Sequence, residues 1–182
     1  GDVNFTTQYR NLGVERDFII IKAPGGGTYK LPTGRRLPVN NAMINRTAQF
    51  YLDNLAADPL EEGEQFNLVG YSYGSVLQAQ VALNLANRGI IIDNLVLVGS
   101  PVSDDSDLFE RLISNDNIRN IVRVDIDGDL LSNPSSPEEY VQGAIQNISD
   151  DGPHFDLARP GQEADQAIQD AVNMIIANGV RN

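Results

Sequence analysis

Residues 70–74, Gly70-Tyr71-Ser72-Tyr73-Gly74, read G-x-S-x-G, with the apolar run QFNLVGY (65–71) before them and a helical pattern after. A serine at such a strand-to-helix junction has a steric logic: the chain turns sharply and leaves the hydroxyl projecting from a strained backbone. Glycines two before and two after are expected to give room where strand and helix nearly touch. The first turn of the new helix directs free N–H groups and positive dipole toward the hydroxyl. The junction therefore suits a nucleophile and a developing anion. A serine hydroxyl attacks poorly until a base takes its proton. The chain holds one histidine, His154, in the loop DDGPHFD, so any such base is His154. An acid that orients the imidazole and stabilises its charged form is available in IVRVDIDGDLLSNP, which offers Asp125, Asp127 and Asp129. Asp125 is expected inside a strand; Asp127 and Asp129 flank a glycine, where a turn is the plain alternative. The plain alternatives elsewhere are a Gly-rich turn for Ser72 and a solvated loop for His154.

The elements that must position these residues are legible as alternating patterns. Apolar runs rich in Ile and Val occur at 17–23, 65–71, 90–100 and 120–127, as in strands covered on both faces. Between them, residues 41–57 place Ile44, Ala48, Tyr51, Leu52 and Leu55 on one helical stripe, and residues 74–88 place Val76, Leu77, Val81, Leu85 and Ala86 similarly. Residues 106–115 and 162–178 are further helices, the latter with Ala164, Ala167, Ile168, Ala171, Val172, Ile175 and Ile176 on one side and Gly179 after it. This alternation predicts an α/β fold with a mostly parallel central sheet flanked by helices on both faces. The polar, Pro-containing SNPSSPEE (132–139) reads as a loop, and residues 1–182 read as one domain with 1–16 as an irregular lead-in.

Composition narrows the partners. A formal charge of −12 disfavours nucleic acid and anionic membrane surfaces. The absence of cysteine excludes a disulfide framework and fits either a reducing compartment or bacterial export. No apolar run is long enough to span a bilayer. GDVNFTTQYR lacks the charged and apolar regions of a signal peptide; a start at Gly rather than Met fits a processed form or a domain of a longer chain. The D-x-D-x-D of residues 125–129 could open a calcium loop, but Leu130 and Ser136 stand where that loop needs Gly and Glu. No metal and no cofactor is expected. Lys30, Arg35 and Arg36 form a basic island in TYKLPTGRRLPVNN. It is either a solvated loop or a contact for an acidic group such as a phospholipid head, which would give transient membrane-surface contact.

With its elbow serine in this context, the chain from about residue 17 to 178 resembles the α/β-hydrolase superfamily, most of all its lipase and esterase branches. The resemblance implies a compact α/β-hydrolase fold starting at the family's third strand. It implies the chain order Ser72, acid, His154. The run from Arg123 to Pro134 is similar to the acid loop of fungal-type lipases, where two residues separate the strand from the Asp and an apolar pair follows; that spacing selects Asp129 over Asp127. It further implies an oxyanion hole from the backbone N–H of Tyr73 and one in KAPGGGTYK, at Gly25 or Gly26, with Gly26 used in the combined assignment. A phosphate-cradling loop or a plain turn is the alternative there, though no Lys-Ser/Thr follows the last glycine as a Walker loop requires. Tyr71 and Tyr73 line a pocket or pack in the core.

The resulting expectation is a serine carboxylester hydrolase, of lipase, esterase or phospholipase type, forming an acyl-enzyme on a small-molecule ester or lipid. A thioesterase, an acyltransferase or a cutinase-like hydrolase shares the same triad. A catalytically silent hydrolase scaffold used for binding is the alternative of a different class. Small acidic hydrolase domains without disulfides occur among secreted bacterial antibacterial effectors, which makes a soluble, secreted bacterial protein one expectation.

Overall fold

The structure is a computed structural model that describes residues 41–147, 152–155, 157 and 161–181. The expected strand 17–23, the loop with Gly25 and Gly26, the basic island of Lys30, Arg35 and Arg36 and the lead-in 1–16 lie outside these residues. Three parallel strands form the described sheet: β1 (Asn67–Tyr71), β2 (Asn94–Val98) and β3 (Ile121–Val124), side by side in that order. Asn67 stands opposite Asn94 and Tyr71 opposite Val98, while Leu95 faces Ile121 and Val98 faces Val124. The helices are α1 (Asn41–Ala57), α2 (Tyr73–Asn87), α3 (Asp107–Ile113), α4 (Pro137–Gln146) and α5 (Gln162–Ala177), and a 3₁₀ turn spans Pro153–Phe155.

Strand alternation divides the core. Leu68, Leu95 and Leu97 point into one layer with Ile44, Ala48 and Tyr51 of α1, Val76, Leu77, Val81 and Leu85 of α2 and Leu112 of α3. Val96, Val98, Val122 and Val124 point the other way, onto Ile168, Ala171, Val172 and Ile175 of α5. Helices thus cover both faces of a parallel sheet, and the near-continuous apolar runs follow from that double burial. The predicted stripes of α1 and α5 are the faces that meet the core. Helix α2 is buried on almost every side, including Ser75, Gln78, Ala79 and Ala82, because it is wedged between the sheet, α1 and α3. Gln78 donates from Nε2 to the Tyr51 hydroxyl at 2.6 Å. Burial raises the Tyr51 phenol above its ordinary pKa, partly offset by that bond.

Three sequence expectations need correction. The run 90–100 yields only β2, preceded by a lone bridge between Ile92 and Ile118, and β3 stops at Val124, so Asp125 lies just past the strand. Residues 132–139 are not merely a loop: α4 begins at Pro137. Ser136 caps it, its hydroxyl accepting from the Glu139 N–H at 3.1 Å. Proline at the first helical position forfeits an N–H that would have no partner within the helix. The Glu139 carboxylate accepts from the Ser135 hydroxyl at 2.6 Å and N–H at 2.7 Å. These bonds, the hydroxyl's first, hold its pKa below the ordinary value.

At the N-terminal ends of the strands, asparagines form a chain of amides. Asn120 donates to Asn94 Oδ1 at 2.8 Å, and Asn94 donates to Asn67 Oδ1 at 2.7 Å. Asn67 donates to the Arg181 carbonyl at 2.8 Å, and Asn120 also to that of Asn178 at 3.0 Å. The chain links the three strand starts and ties the segment after α5 to the sheet. The opposite, C-terminal edge of the sheet is where such folds place ligands.

Candidate active site

Ser72 follows the last residue of β1 and precedes the first of α2. Its backbone sits at φ 53°, ψ −128°, a conformation that costs a non-glycine residue about 1–3 kcal/mol and persists only where its surroundings impose it. Here they do. The Ser72 N–H donates to the Val98 carbonyl at 2.9 Å, extending the β1–β2 ladder. The Ser72 carbonyl accepts from the Ser75 N–H at 3.0 Å and from the Ser75 hydroxyl. Ser75 is buried and also hydrogen-bonds the Ser100 hydroxyl at 2.7 Å. The strand and helix approach so closely that a Cβ on Gly70 would lie 2.7 Å from Ser75 N and 2.8 Å from the Gly74 carbonyl. Gly70 is therefore required sterically. Gly74 is not: a Cβ there would meet nothing within 4 Å. The expected room-making role holds for the first glycine of the motif and fails for the second, because Gly74 has already entered the helix and faces away from the strand.

The Ser72 side chain does not cap α2. Its Oγ lies 2.6 Å from His154 Nε2, and His154 Nδ1 lies 2.6 Å from Asp129 Oδ2. An ionised carboxylate can only accept, so in the tautomer that pairs with one, Nδ1 donates to Asp129 and the Nε2 lone pair faces the serine hydroxyl. The imidazole and carboxylate are shut away from water, with side-chain exposures of 5% and 0%. His154 sits in the 3₁₀ turn, where its carbonyl accepts from the Tyr71 hydroxyl at 2.5 Å. The Tyr71 ring stacks against the imidazole at 6.0 Å and 16°. Tyr71, left open between pocket and core by the sequence, thus holds the histidine from the end of the serine's own strand.

Asp129 lies five residues beyond β3 and is buried. Its Oδ1 accepts from the Leu131 N–H at 3.0 Å and from Asn147 Nδ2 at 3.2 Å. The other two aspartates are exposed and outside this hydrogen-bonded chain: Asp125 pairs with Arg123 at 3.2 Å and accepts from Ser132, and Asp127 faces solvent. Helix α4 grips the acid loop. Gln146 donates to the Gly128 carbonyl at 2.9 Å and accepts from the Leu130 N–H at 3.3 Å. Gly143 lets the helix close on Leu130 and Leu131, where a Cβ would come within 2.7 Å of backbone. Sequence reasoning missed Asn147 and α4 together; the Ser136-Pro137-x-Glu139 start is the signal that could have revealed the helix.

Tyr73, the first residue of α2, is exposed at 49% beside Ser72. Its backbone N–H belongs to the helix turn whose donors lack partners within the helix. Gly26, the other expected oxyanion donor, lies outside the described residues, as does Gly25. Among the described residues, no group of three or more His, Asp or Glu side chains could hold a metal ion, and no helix is long and apolar enough to cross a membrane. The arrangement lets Ser72 pass its proton to Nε2 while Asp129 faces the opposite nitrogen. Comparison with known proteins found no matching family model, no matching curated protein and no matching solved structure.

Proposed function

We propose that this protein is a serine hydrolase of carboxylic esters, of lipase or esterase type, built on a compact α/β-hydrolase fold. The observation that carries the reading is the pair of 2.6 Å contacts joining Ser72, His154 and Asp129 behind a serine held at positive φ. Ser72 Oγ attacks the ester carbonyl carbon as its proton moves to His154 Nε2. The carbonyl oxygen takes the negative charge, and the Tyr73 N–H at the head of α2 is its donor, together with Gly26. His154 then gives the proton to the leaving alkoxide as the C–O bond breaks, leaving an acyl-enzyme on Ser72. Water, deprotonated by His154, releases the acid and restores the serine. Asp129 keeps the imidazole in the right tautomer and stabilises its charged form. No cofactor is part of this mechanism.

The test is labelling with a fluorophosphonate, read by intact mass, alongside hydrolysis of short- and long-chain esters and phospholipids. Wild type is expected to gain one adduct that Ser72→Ala lacks. Ser72→Ala and His154→Ala are expected to lose on the order of 10³–10⁶-fold in turnover while keeping the wild-type melting temperature within a few degrees. A folded wild type that neither labels nor turns over any ester would sink the proposal.

A further inference from the structure

We infer that Asn147 is a positioning residue for the imidazole–carboxylate pair, holding both partners from the end of α4. Its backbone closes the helix, the N–H donating to the Gly143 carbonyl at 3.1 Å. Its side chain makes three further bonds. Nδ2 donates to Asp129 Oδ1 at 3.2 Å and to the Gly143 carbonyl at 2.9 Å. Oδ1 accepts from the His154 N–H at 3.1 Å. The orientation of this amide is not interchangeable. A carboxylate and a carbonyl can only accept, and a backbone N–H can only donate, so turning the amide over would break all three bonds. One planar group therefore fixes the carboxylate oxygen that does not meet the imidazole and, at the same time, the backbone from which that imidazole hangs.

The consequence is geometric. Asp129 and His154 lie 25 residues apart on separate loops, and their 2.6 Å contact sets where Nε2 stands relative to Ser72. The Tyr71 hydroxyl restrains the same histidine through its carbonyl, so the turn is held at both its N–H and its C=O. Gly152 packs directly on the Asn147 side chain, where a Cβ would collide with it, so the amide is enclosed as well as bonded. An amide that spans two loops in this way acts on proton transfer from Ser72 without touching substrate.

The kinetic arm of the test rests on the proposed hydrolase reading; the spectroscopic arm does not. The chain has one histidine, so the ring nitrogens of nitrogen-15-labelled full-length protein give a single imidazole signature. Asn147→Ala removes all three side-chain bonds. Asn147→Asp keeps the volume and the acceptor for His154 N–H but removes both donors and sets a second carboxylate against Asp129. Should the Ala variant fail to fold, the isosteric variant carries the test alone. In both folded variants the ring signals are expected to shift or broaden by exchange, and kcat to fall about 10–100-fold with KM within about twofold, more in the Asp variant than in the Ala. Unchanged ring signals, or an Asp variant equal to wild type in rate, would overturn the inference. A wild type inactive on every ester would sink the hydrolase reading and leave the ring signals to decide the role of Asn147.

Discussion

Asp129 differs from Asp127, two positions earlier, in having its carboxylate enclosed. One oxygen meets His154, and the other is held by the Leu131 N–H and Asn147; Asp127 faces solvent. Asp129→Asn is therefore expected to cut turnover by about 10⁴-fold by favouring the wrong imidazole tautomer, and Asp127→Asn to stay within about twofold of wild type, both read from kcat on an activated ester. Equal rates in Asp129→Asn and wild type would remove Asp129 from the mechanism. At this scale the sequence was informative where a residue was singular. Ser72 stands at a strand-to-helix junction, His154 has no rival, and Asp129 follows from spacing within a likeness. Asn147 was illegible because asparagines are common in this chain. What sets this one apart is three partners that only the folded chain brings together.

Helix α2 meets β1 at Gly70, and the two glycines of the motif carry opposite expectations. Gly70→Ala would drive a methyl into the backbone of Ser75, so it is expected to lower the melting temperature and to abolish Ser72 labelling. Gly74→Ala points into open space and replaces a helical glycine. It is expected to be neutral or to stabilise by up to about 0.5–1 kcal/mol, provided it folds as wild type by circular dichroism. Helix α4 carries a different device. Ser136→Ala is expected to cost about 1 kcal/mol through the lost cap and, because Asn147 caps the other end of α4, to lower kcat as well as stability. The pH dependence of that helix start follows from Glu139. Its folded pKa lies below the unfolded one, so its contribution is present above the ordinary carboxylate range and is lost as pH falls through the lowered value. Acid melts of Glu139→Gln are expected to show a shallower loss than wild type. Long periodic elements such as α1 and α5 were legible almost to the residue, since one face of each is buried. Helix α4 was not: its start is a run of Ser, Pro and Glu that reads as a turn until the cap geometry is seen, and Val141 and Ile145 on its surface are exposed.

The described sheet joins two apolar layers, and an asparagine chain links its strand starts. Asn94 is buried and serves Asn67, Gln65 and Asn120 at once. Asn94→Ala would leave those amides without their partner beneath the sheet. The expected loss is about 1–3 kcal/mol in a denaturant melt, with activity at low denaturant retained, because the site lies at the other edge. The α/β alternation was visible in the sequence because short runs rich in Leu, Ile and Val, the β2 run buried at every position, alternate with helical stripes. The trimming of those runs to four or five residues was not, since hydrophobicity continues past the point where strands stop pairing. The same amide chain has a consequence for a molecule made from its N-terminus onward. While residues beyond 160 are still inside the ribosome, Ser72 and Asp129 have already emerged, yet the layer that α5 supplies and the carbonyls of Asn178 and Arg181 have not. A nascent chain at that stage holds Ser72 on a sheet whose valine face, Val96, Val98, Val122 and Val124, still lacks the helix that covers it.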